Sequence, residues 1–311
     1  MQLYSMPAAE VPPGRRVVAL GFFDGMHRGH AALFVTLRQE AAARGATPAV
    51  FTFAEEAAFK PHALRLLSEE GRLQRMAEAG AEEIFSYSFT ALRSLSPAAF
   101  VADVLVGTLS AVAVVCGYNF RFGAGGAGDA TLLASLLAAH GVPLLTLPPC
   151  KWGETVISAS AIRALLETGM VEEAADLLGR PYALEGRVVH GKALGRTIGL
   201  PTANLPILPM MAAPAHGVYA VLGYIEGQEG GHIGVANVGV RPTVEPAGAV
   251  NCETHFLDPV GDIYGKRLTV LFLHRLRGEQ RFENLEALRA RITQDAHEAK
   301  EYVQKWQNGQ N

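Results

Sequence analysis

A strand-like run at Val17–Leu20 leads into a glycine-rich segment that ends in two histidines, His27 and His30. Glycines at positions 21, 25 and 29 let the backbone approach an anion closely, and a helix beginning at His30 presents unpaired N–H groups. Imidazoles three residues apart face the same way and can donate to phosphate oxygens while charge builds at a transferring phosphorus. The segment predicts a phosphate site that includes Gly21, Phe22, Phe23, Asp24 and Gly25.

Two other interpretations of the histidines stay open. Histidines at a helix start also serve as capping or solvated residues. A metal pair is less well supported, because the sequence positions no third ligand of the cysteine or carboxylate type. Neither GxGxxG nor GxxxxGK[ST] occurs here, so the segment is not a dinucleotide fingerprint or a P-loop.

A second candidate site lies at Thr202 and Asn204 in the tetrad PTAN. On an extended segment, a hydroxyl and an amide oxygen two residues apart point to one face. Both are hard oxygen ligands of the kind that Mg²⁺ takes. A turn with self-satisfied side chains is the ordinary alternative.

Glycines and basic residues precede this tetrad. Gly191 and Gly195, with Lys192 and Arg196, form a cationic loop whose backbone N–H groups could cradle a triphosphate. Hairpin turns use glycine equally well. Downstream, the period of a strand at Cys252–Leu257 places Glu253 and His255 on one face, and the alternative is a solvated strand carboxylate.

The elements that must position the first site alternate between strand and helix, which indicates a parallel, doubly wound α/β sheet. The ligand site of such a sheet lies beyond the carboxyl ends of its strands. The expected elements are a strand at Val17–Leu20, a helix from His30 to Arg44 closed by Gly45, a strand at Ala49–Phe53, a helix capped by Ser96 and Pro97 that ends near Gly107, and strands at Ala111–Cys116 and Val142–Leu147.

The pattern changes after a helical stretch at Ser158–Leu178. Five short strand signals follow without helices between them, which predicts an antiparallel barrel or sandwich, and a long helix from about Leu285 to Trp306 ends the chain. The boundary is expected near Gly179, giving domains 1–178 and 179–311. The strand signals are Leu184–Val189, Val218–Ile225, Ile233–Val238, Cys252–Leu257 and Leu268–Leu273.

Composition excludes several functional classes. The chain has 311 residues, of which 49% are hydrophobic, and a formal net charge of −3, which is typical of a globular protein with two domains. The sequence shows no run of about 18 apolar residues, no signal-like N-terminus and no basic run, so we expect a cytoplasmic protein that binds neither membrane nor nucleic acid. Three cysteines without a CxxC spacing argue against a disulfide framework or a zinc site.

Several ordered motifs resemble the bacterial bifunctional riboflavin kinase/FMN adenylyltransferase family. In the first half they are FFDGMHRGH, which is similar to the HxGH signature of nucleotidyltransferases, the run Cys116–Gly123, ISASAIR at 157–163 and LGRPY at 178–182. In the second half they are PTAN, NVGVRPT, CETHFLD, YGKR and RGEQRF, spanning nearly all of 179–295. The resemblance implies a nucleotidyltransferase-like α/β domain followed by a riboflavin kinase β-barrel with a C-terminal helix.

The first half departs from the family pattern at three places. The chain reads TFAEEA at 52–57 where the family usually reads TFDPHP, and Gly126 and Ala161 stand where arginines are common. In the second half, Leu200 replaces the usual phenylalanine before PTAN.

In the first domain, the resemblance implies that His27 and His30 hold the ATP phosphates and that Asn119 touches the flavin or the nucleotide. Ser160 and Arg163 would complete the phosphate clamp, since a guanidinium near a helix start binds phosphate bidentately. The alternative for Arg163 is an exposed ion pair with Glu167.

In the second domain, the resemblance implies that Thr202 and Asn204 bind ATP with Mg²⁺, and the loop with Gly191, Lys192 and Gly195 is expected to bind the triphosphate. Glu253 would be the general base for the ribityl 5′-hydroxyl, as an aliphatic alcohol needs only a nearby carboxylate late in phosphoryl transfer. Arg277 and Phe282 would bind the isoalloxazine ring, where a salt bridge and core packing are the ordinary alternatives.

The implied function is conversion of riboflavin and ATP to FMN in the second domain and of FMN and ATP to FAD in the first. Two alternatives remain: a riboflavin kinase whose first domain no longer makes FAD, and a non-catalytic flavin-binding regulatory protein. Oligomeric state is left open.

Overall fold

The computed structural model of the protein describes residues 1–6, 10–54, 64–190, 201–240 and 250–309. Its backbone contacts divide the chain into two compact units, residues 1–63 with 67–159 and residues 64–66 with 160–311. The sequence-based boundary at 178/179 stays a prediction.

The first unit contains six strands in one parallel sheet, in the order β1-β4-β3-β2-β5-β6. Its strands are β1 (Gln2–Met6), β2 (Arg16–Leu20), β3 (Thr47–Phe53), β4 (Glu83–Tyr87), β5 (Ala111–Gly117) and β6 (Leu144–Leu147), and a two-stranded hairpin follows at β7 (Lys151–Trp152) and β8 (Thr155–Val156). Its helices are α1 (Arg28–Arg44), α2 (Glu69–Glu78), α3 (Phe89–Leu92), α4 (Pro97–Ala99), a π-helix at Phe100–Thr108 and α5 (Ala130–Ala138).

Apolar side chains cover both faces of this sheet, as its parallel topology requires. All five residues of β2 are buried, with Val17 and Ala19 packed on the side of α1 and Val18 and Leu20 in the core on the other side. The expected doubly wound α/β fold is confirmed.

The order in which strands are added to the sheet reverses between β2 and β5. The chain passes outward from β2 through β3 to β4 and then returns to place β5 on the other side of β2. Ligands of open α/β sheets bind at such a switch point, beyond the carboxyl ends of the strands. The loop that carries His27 and His30 leaves β2 there, and the turn that carries Asn119 leaves β5 there.

Local sequence signals place several helix ends correctly. α1 ends at Gly45, which adopts the left-handed conformation with φ of 55°, and Ser96 caps α4 through its side chain, followed by Pro97. The helix after Pro97 continues as a π-helix to Thr108, where Leu109 N–H donates to the carbonyl of Val104, five residues earlier.

The second unit contains helices α6 (Ala159–Thr168) and α7 (Val171–Leu178) and a barrel of six antiparallel strands in the order β10-β13-β12-β11-β14-β9. Helix α8 (Leu285–Asn308) follows the barrel. The strands are β9 (Tyr182–Arg187), β10 (Ala203–Pro206), β11 (Gly217–Ile225), β12 (His232–Val240), β13 (Val250–Phe256) and β14 (Arg267–Arg277). A bridge from Val189 N–H to the carbonyl of Asn204, at 2.9 Å, joins the edges formed by β9 and β10 in the described part of the chain and nearly closes the barrel.

Alternation along β11 separates the inside of the barrel from its helix-covered face. Tyr219 packs edge-on against Phe272 of β14, whereas Val218, Ala220 and Leu222 pack with Ala299 and Val303 of α8. The expected antiparallel barrel with a C-terminal helix is confirmed. The sequence predicts β10 only as the extended segment that carries PTAN, because a strand of four residues is too short to show an alternating pattern.

Candidate functional site

The two histidines lie together at the start of α1. His27 is the N-cap of the helix, and its Nδ1 accepts a hydrogen bond from the His30 N–H at 3.3 Å. The imidazole rings stack with centroids 3.7 Å apart and planes 16° apart. The predicted common orientation is therefore present, and the capping alternative also describes part of the role of His27.

Glycine and a strained phenylalanine shape the loop before the histidines. Phe23 is buried in the left-handed region at φ of 60°, and its ring packs edge-on against His30 at 5.2 Å. A Cβ at Gly21 would approach that ring to 2.8 Å, so only glycine fits there without displacing Phe23. Positive φ in a bulky residue is rare and concentrates at functional sites.

A buried arginine that the sequence did not single out braces this loop. Arg72 of α2 donates to the carbonyls of Phe22 and Phe53, each at 2.9 Å, and to Thr52 Oγ1 at 2.7 Å. Its charge also lies over the Phe22 ring at 4.3 Å. No periodicity in the sequence marks this role, because its partners lie 19 to 50 residues away.

An aromatic cavity of about 440 Å³ opens at the carboxyl ends of β3 and β5. Aromatic and aliphatic side chains make up most of its wall, and Arg93 and Arg121 are its cationic members. Neither of these guanidinium groups has a hydrogen-bond or ion-pair partner within the described ranges. The lining residues are Phe51, Phe53, Phe89, Leu92, Arg93, Leu95, Phe100, Phe120, Arg121, Phe122, Gly123, Gly125 and Gly126.

The structure shows where Asn119, Gly126 and Ala54 lie relative to the aromatic cavity and to β3. Asn119 is exposed in the turn after β5 and is not among the residues that line this cavity. Gly126, where the family often has an arginine, lies on the cavity wall with φ of 66°. Ala54 follows β3, while residues 55–57 lie outside the described residues.

Ser160 and Arg163 contact each other at the start of α6, in the second compact unit. Arg163 Nη2 donates to Ser160 Oγ and Nη1 donates to the carbonyl of Leu64, both at 3.2 Å. The structure thus brings this predicted pair together.

In the barrel, Asn204 of β10 and Glu253 of β13 are direct cross-strand partners. Glu253 also pairs with Asn237 of β12 on its other side, so the three side chains share one face of the sheet. Cys252 and Thr254, the neighbours of Glu253 in β13, are fully buried on the opposite face, as the strand period predicts. Asn204 is only 4% exposed, whereas Glu253 is half-buried.

One residue that the sequence did not reveal ties this pair together. Asn251, buried and two residues before Glu253, donates through Nδ2 to Asn204 Oδ1 at 3.1 Å and to Glu253 Oε1 at 3.3 Å. Asn204 Nδ2 in turn donates to the carbonyl of Thr202 at 3.4 Å. The period of two could have suggested Asn251, since it shares the face of Glu253.

Thr202 lines two neighbouring cavities. One, of about 360 Å³, also contains Glu253, Arg277 and Phe282 and lies between the sheet and α8. The other, also about 360 Å³, is lined by Val188, residues 201–203 and residues 255–264. Beside it, His190 and Tyr264 stack with ring centroids 3.8 Å apart.

Arg277 and Phe282 line the first of these cavities. The salt bridge given above as the alternative role of the arginine is also present. Arg277 makes a two-pronged ion pair with Asp295 of α8, with Nη2 at 2.8 Å and Nε at 3.1 Å from Oδ2. Its guanidinium carbon lies 5.6 Å from the Phe282 ring centroid. Asp295, 1% exposed, also accepts from Arg291 Nε at 2.8 Å.

The oxygen donors at Thr202, Asn204 and Glu253 suit Mg²⁺ by their chemistry. Asn204 Oδ1 accepts a hydrogen bond from Asn251, which holds this oxygen in place. Within the described part of the chain, no group of three or more histidines, cysteines or carboxylates could hold a metal ion. Gly191, Lys192 and Gly195, with Arg196 and Leu200, lie outside the described residues.

All three cysteines are free thiols. Burial raises the pKa of Cys116 from 9.0 to about 11 and that of Cys252 from 9.0 to about 12. These two thiols therefore behave as small apolar residues. Among the described residues, no helix is long and apolar enough to cross a membrane.

Comparison with known proteins assigns a family to each part of the chain. A family model described as FAD synthetase matches residues 10–161, and one described as riboflavin kinase matches residues 178–303. A crystal structure described as a macrolide-efflux protein from Streptococcus pneumoniae has a TM-score of 0.86 and 30% identity, covering 96% of this chain and 99% of that one.

Curated bifunctional riboflavin kinase/FMN adenylyltransferases match almost end to end. The Escherichia coli K12 protein is 37% identical, covering 94% of this chain and 95% of the relative. The Pseudomonas fluorescens protein is 37% identical, with coverage of 91% and 92%, and the Bacillus subtilis protein is 32% identical, with coverage of 93% and 92%. The chain therefore belongs to the bifunctional riboflavin kinase/FMN adenylyltransferase family.

Proposed function

We propose that the barrel transfers a phosphoryl group from ATP to riboflavin and that the α/β unit transfers an adenylyl group from ATP to the resulting FMN. Family membership supports both activities. The observation that carries the kinase assignment is the pairing of Asn204 with Glu253 on one face, beside two cavities that share Thr202.

The two cavities suit the two substrates of the kinase. The cavity under α8 offers Phe282 and Arg277 to a flavin ring, and Glu253 on its wall can accept the proton of the ribityl 5′-hydroxyl. The neighbouring cavity, with the stacked rings of His190 and Tyr264 beside it, suits a nucleotide. In this proposal the γ-phosphate meets the alcohol beside Thr202, which lines both cavities.

Phosphoryl transfer depends on positioning and charge stabilisation. Thr202 and Asn204 would hold Mg²⁺, which supplies neutralisation of the triphosphate charge when it is bound. Asn251 fixes the Asn204 oxygen and the Glu253 carboxylate relative to each other. In the same proposal, Gly191, Lys192 and Gly195 cover the phosphates.

In the α/β unit, the stacked pair His27 and His30 at the helix start would bind the triphosphate, together with backbone N–H groups of the loop 21–25. The aromatic cavity matches an isoalloxazine ring, and Arg93 and Arg121 match an anionic flavin such as FMN. Asn119, Ser160 and Arg163 are assigned to substrate binding from the family motifs. The domain boundary at 178/179 and a cytoplasmic location, where ATP is abundant, belong to this proposal.

Incubation of the purified protein with riboflavin, ATP and Mg²⁺ tests the assignment. Chromatography should show FMN first and FAD later, while Mg²⁺ removal with a chelator should stop both. Accumulation of FMN without FAD would support the kinase-only alternative. Tight flavin binding without turnover would support the regulatory alternative.

A further inference from the structure

Arg72 is one of the two largest fully buried side chains that carry a charge in the described part of the chain. It lies in the first turns of α2, and its side chain is 1% exposed. A guanidinium taken out of water needs partners for its donors, or its burial is costly. Its partners therefore reveal why it is there.

Besides Glu69 of the same helix, whose carboxylate lies 4.0 Å away, the partners of Arg72 include groups at the ends of two adjacent strands. Nη1 donates to the carbonyl of Phe22, two residues beyond β2, and to Thr52 Oγ1 of β3, while Nη2 donates to the carbonyl of Phe53, the last residue of β3. Thr52 Oγ1 also donates to the Phe22 carbonyl at 3.4 Å. The planar guanidinium of Arg72 thus fixes the carbonyls of Phe22 and Phe53 relative to each other.

Phe22 and Phe53 belong to different parts of the candidate site. Phe22 opens the loop that leads to His27 and His30, and Phe53 forms part of the wall of the aromatic cavity. The Phe53 ring also packs edge-on against Phe51 and Phe89, two other cavity residues, at 5.4 and 5.5 Å. Arg72 therefore joins the phosphate loop to the flavin cavity.

We propose that Arg72 is a positioning residue for adenylyl transfer, an inference that rests on the proposed function of the α/β unit. In that reaction, a phosphate oxygen of FMN forms a bond to the α-phosphorus of ATP, and the bond from this phosphorus to the β-phosphate bridge breaks to release pyrophosphate. The two substrates must meet in line, and a misplacement of about 1 Å can cost about 10²-fold in rate. Arg72 sets this alignment through Phe22 and Phe53.

The chain offers a matched set of variants. Arg72→Met keeps the aliphatic part of the side chain and removes the guanidinium group. Arg72→Lys keeps the charge but cannot donate to both carbonyls in the same planar geometry. Arg75→Met is the control, since Arg75 lies one turn away on the same helix and forms a surface ion pair with Glu78 at 3.6 Å.

The test measures FAD formation from FMN and ATP, the stoichiometry of FMN binding by calorimetry, and riboflavin phosphorylation in the same preparation. For Arg72→Met we expect kcat per binding site to fall about 100-fold, with the wild-type number of FMN sites per chain retained and riboflavin phosphorylation unchanged. Arg72→Lys should recover part of kcat, and Arg75→Met should match the wild type.

Four results would overturn the inference. One is wild-type kcat in Arg72→Met, and another is a loss of kcat that equals the loss of FMN sites, which would indicate a purely structural role. If Arg72→Met does not fold, the Thr52→Val variant provides the test, because it removes one hydrogen-bond acceptor of the Arg72 guanidinium. A several-fold lower kcat per site in Thr52→Val supports the inference, and an unchanged kcat contradicts it. A wild-type protein that makes no FAD would overturn the proposed function as well, whereas FAD formation with normal Arg72→Met activity overturns this inference alone.

Discussion

Asn204 and Glu253 face each other across β10 and β13, and one amide group of Asn251 donates to both of them. The pair combines a metal-type oxygen with a carboxylate on one face of the sheet, 49 residues apart in the chain. Cross-strand pairing, rather than a loop, sets their separation. The candidate kinase site is therefore built on paired strands of the barrel.

Asn251→Asp should impair riboflavin phosphorylation. The change removes the shared donor and places a second carboxylate beside Glu253, and like charges raise the pKa of one member of such a pair. We expect FMN formation at pH 7 to fall at least about tenfold and the acidic limb of the pH–rate profile to move to higher pH. Asn308→Asp at the exposed end of α8 is the control, and an unshifted profile in Asn251→Asp would contradict the assignment.

Substitutions at His27 should separate capping from phosphate binding. Asparagine is a good N-cap residue and alanine is not, so His27→Asn should retain the stability that His27→Ala loses, about 1 kcal/mol. Both variants should form FAD about 100-fold more slowly, as should His30→Ala, because each loses a donor to phosphate. Thermal unfolding and FAD synthesis are measured side by side, with the exposed His140→Ala as control. A fully active His27→Asn would leave capping as the role of His27.

Phe120→Ala should weaken FMN binding in the α/β unit. Phe120 lines the aromatic cavity and stacks with Phe122, with centroids 6.1 Å apart. Loss of one stacking surface is worth about 1 to 3 kcal/mol for an aromatic base, which corresponds to a KM for FMN raised about tenfold. The KM for ATP serves as the internal control. Equal increases in both constants would argue against this cavity as the flavin site.

Alkaline pH should destabilise the barrel through Cys252. Its pKa rises from 9.0 to about 12 on burial, so the unfolded chain loses this proton at lower pH than the folded chain. The stability contributed by the neutral thiol is fully present below pH 9 and is lost progressively as the pH rises toward 12. Denaturant titrations between pH 8 and 11 should show a smaller pH dependence in Cys252→Ala than in the wild type. Identical slopes would contradict the buried titration.

Local signals in the sequence predict the elements that depend on neighbouring residues. Gly45 marks a helix end by its left-handed conformation, and Ser96 with Pro97 marks a helix start. The alternation around Glu253 correctly assigns the two faces of β13. The HxGH and PTAN segments predict where chemistry is concentrated because their residues are close in sequence.

Residues whose roles depend on long-range contacts escape the same reasoning. β1 has no distinctive pattern and is defined only by its parallel pairing with β4. Arg72 looks like one more helix arginine until Phe22 and Phe53 are placed around it. The aromatic cavity gathers side chains from positions 51 to 126, so no single segment reveals it.

Glu253→Gln tests the central claim most directly, because the amide keeps the shape of the side chain and an acceptor for Asn251 but removes the base. The measurement compares two rates in one preparation, FMN formation from riboflavin and FAD formation from FMN, each with ATP and Mg²⁺. We predict that the first rate falls by about 100-fold or more while the second is unchanged. Wild-type FMN formation by this variant would contradict the account of the barrel, and loss of both rates in a folded variant would contradict two separate sites.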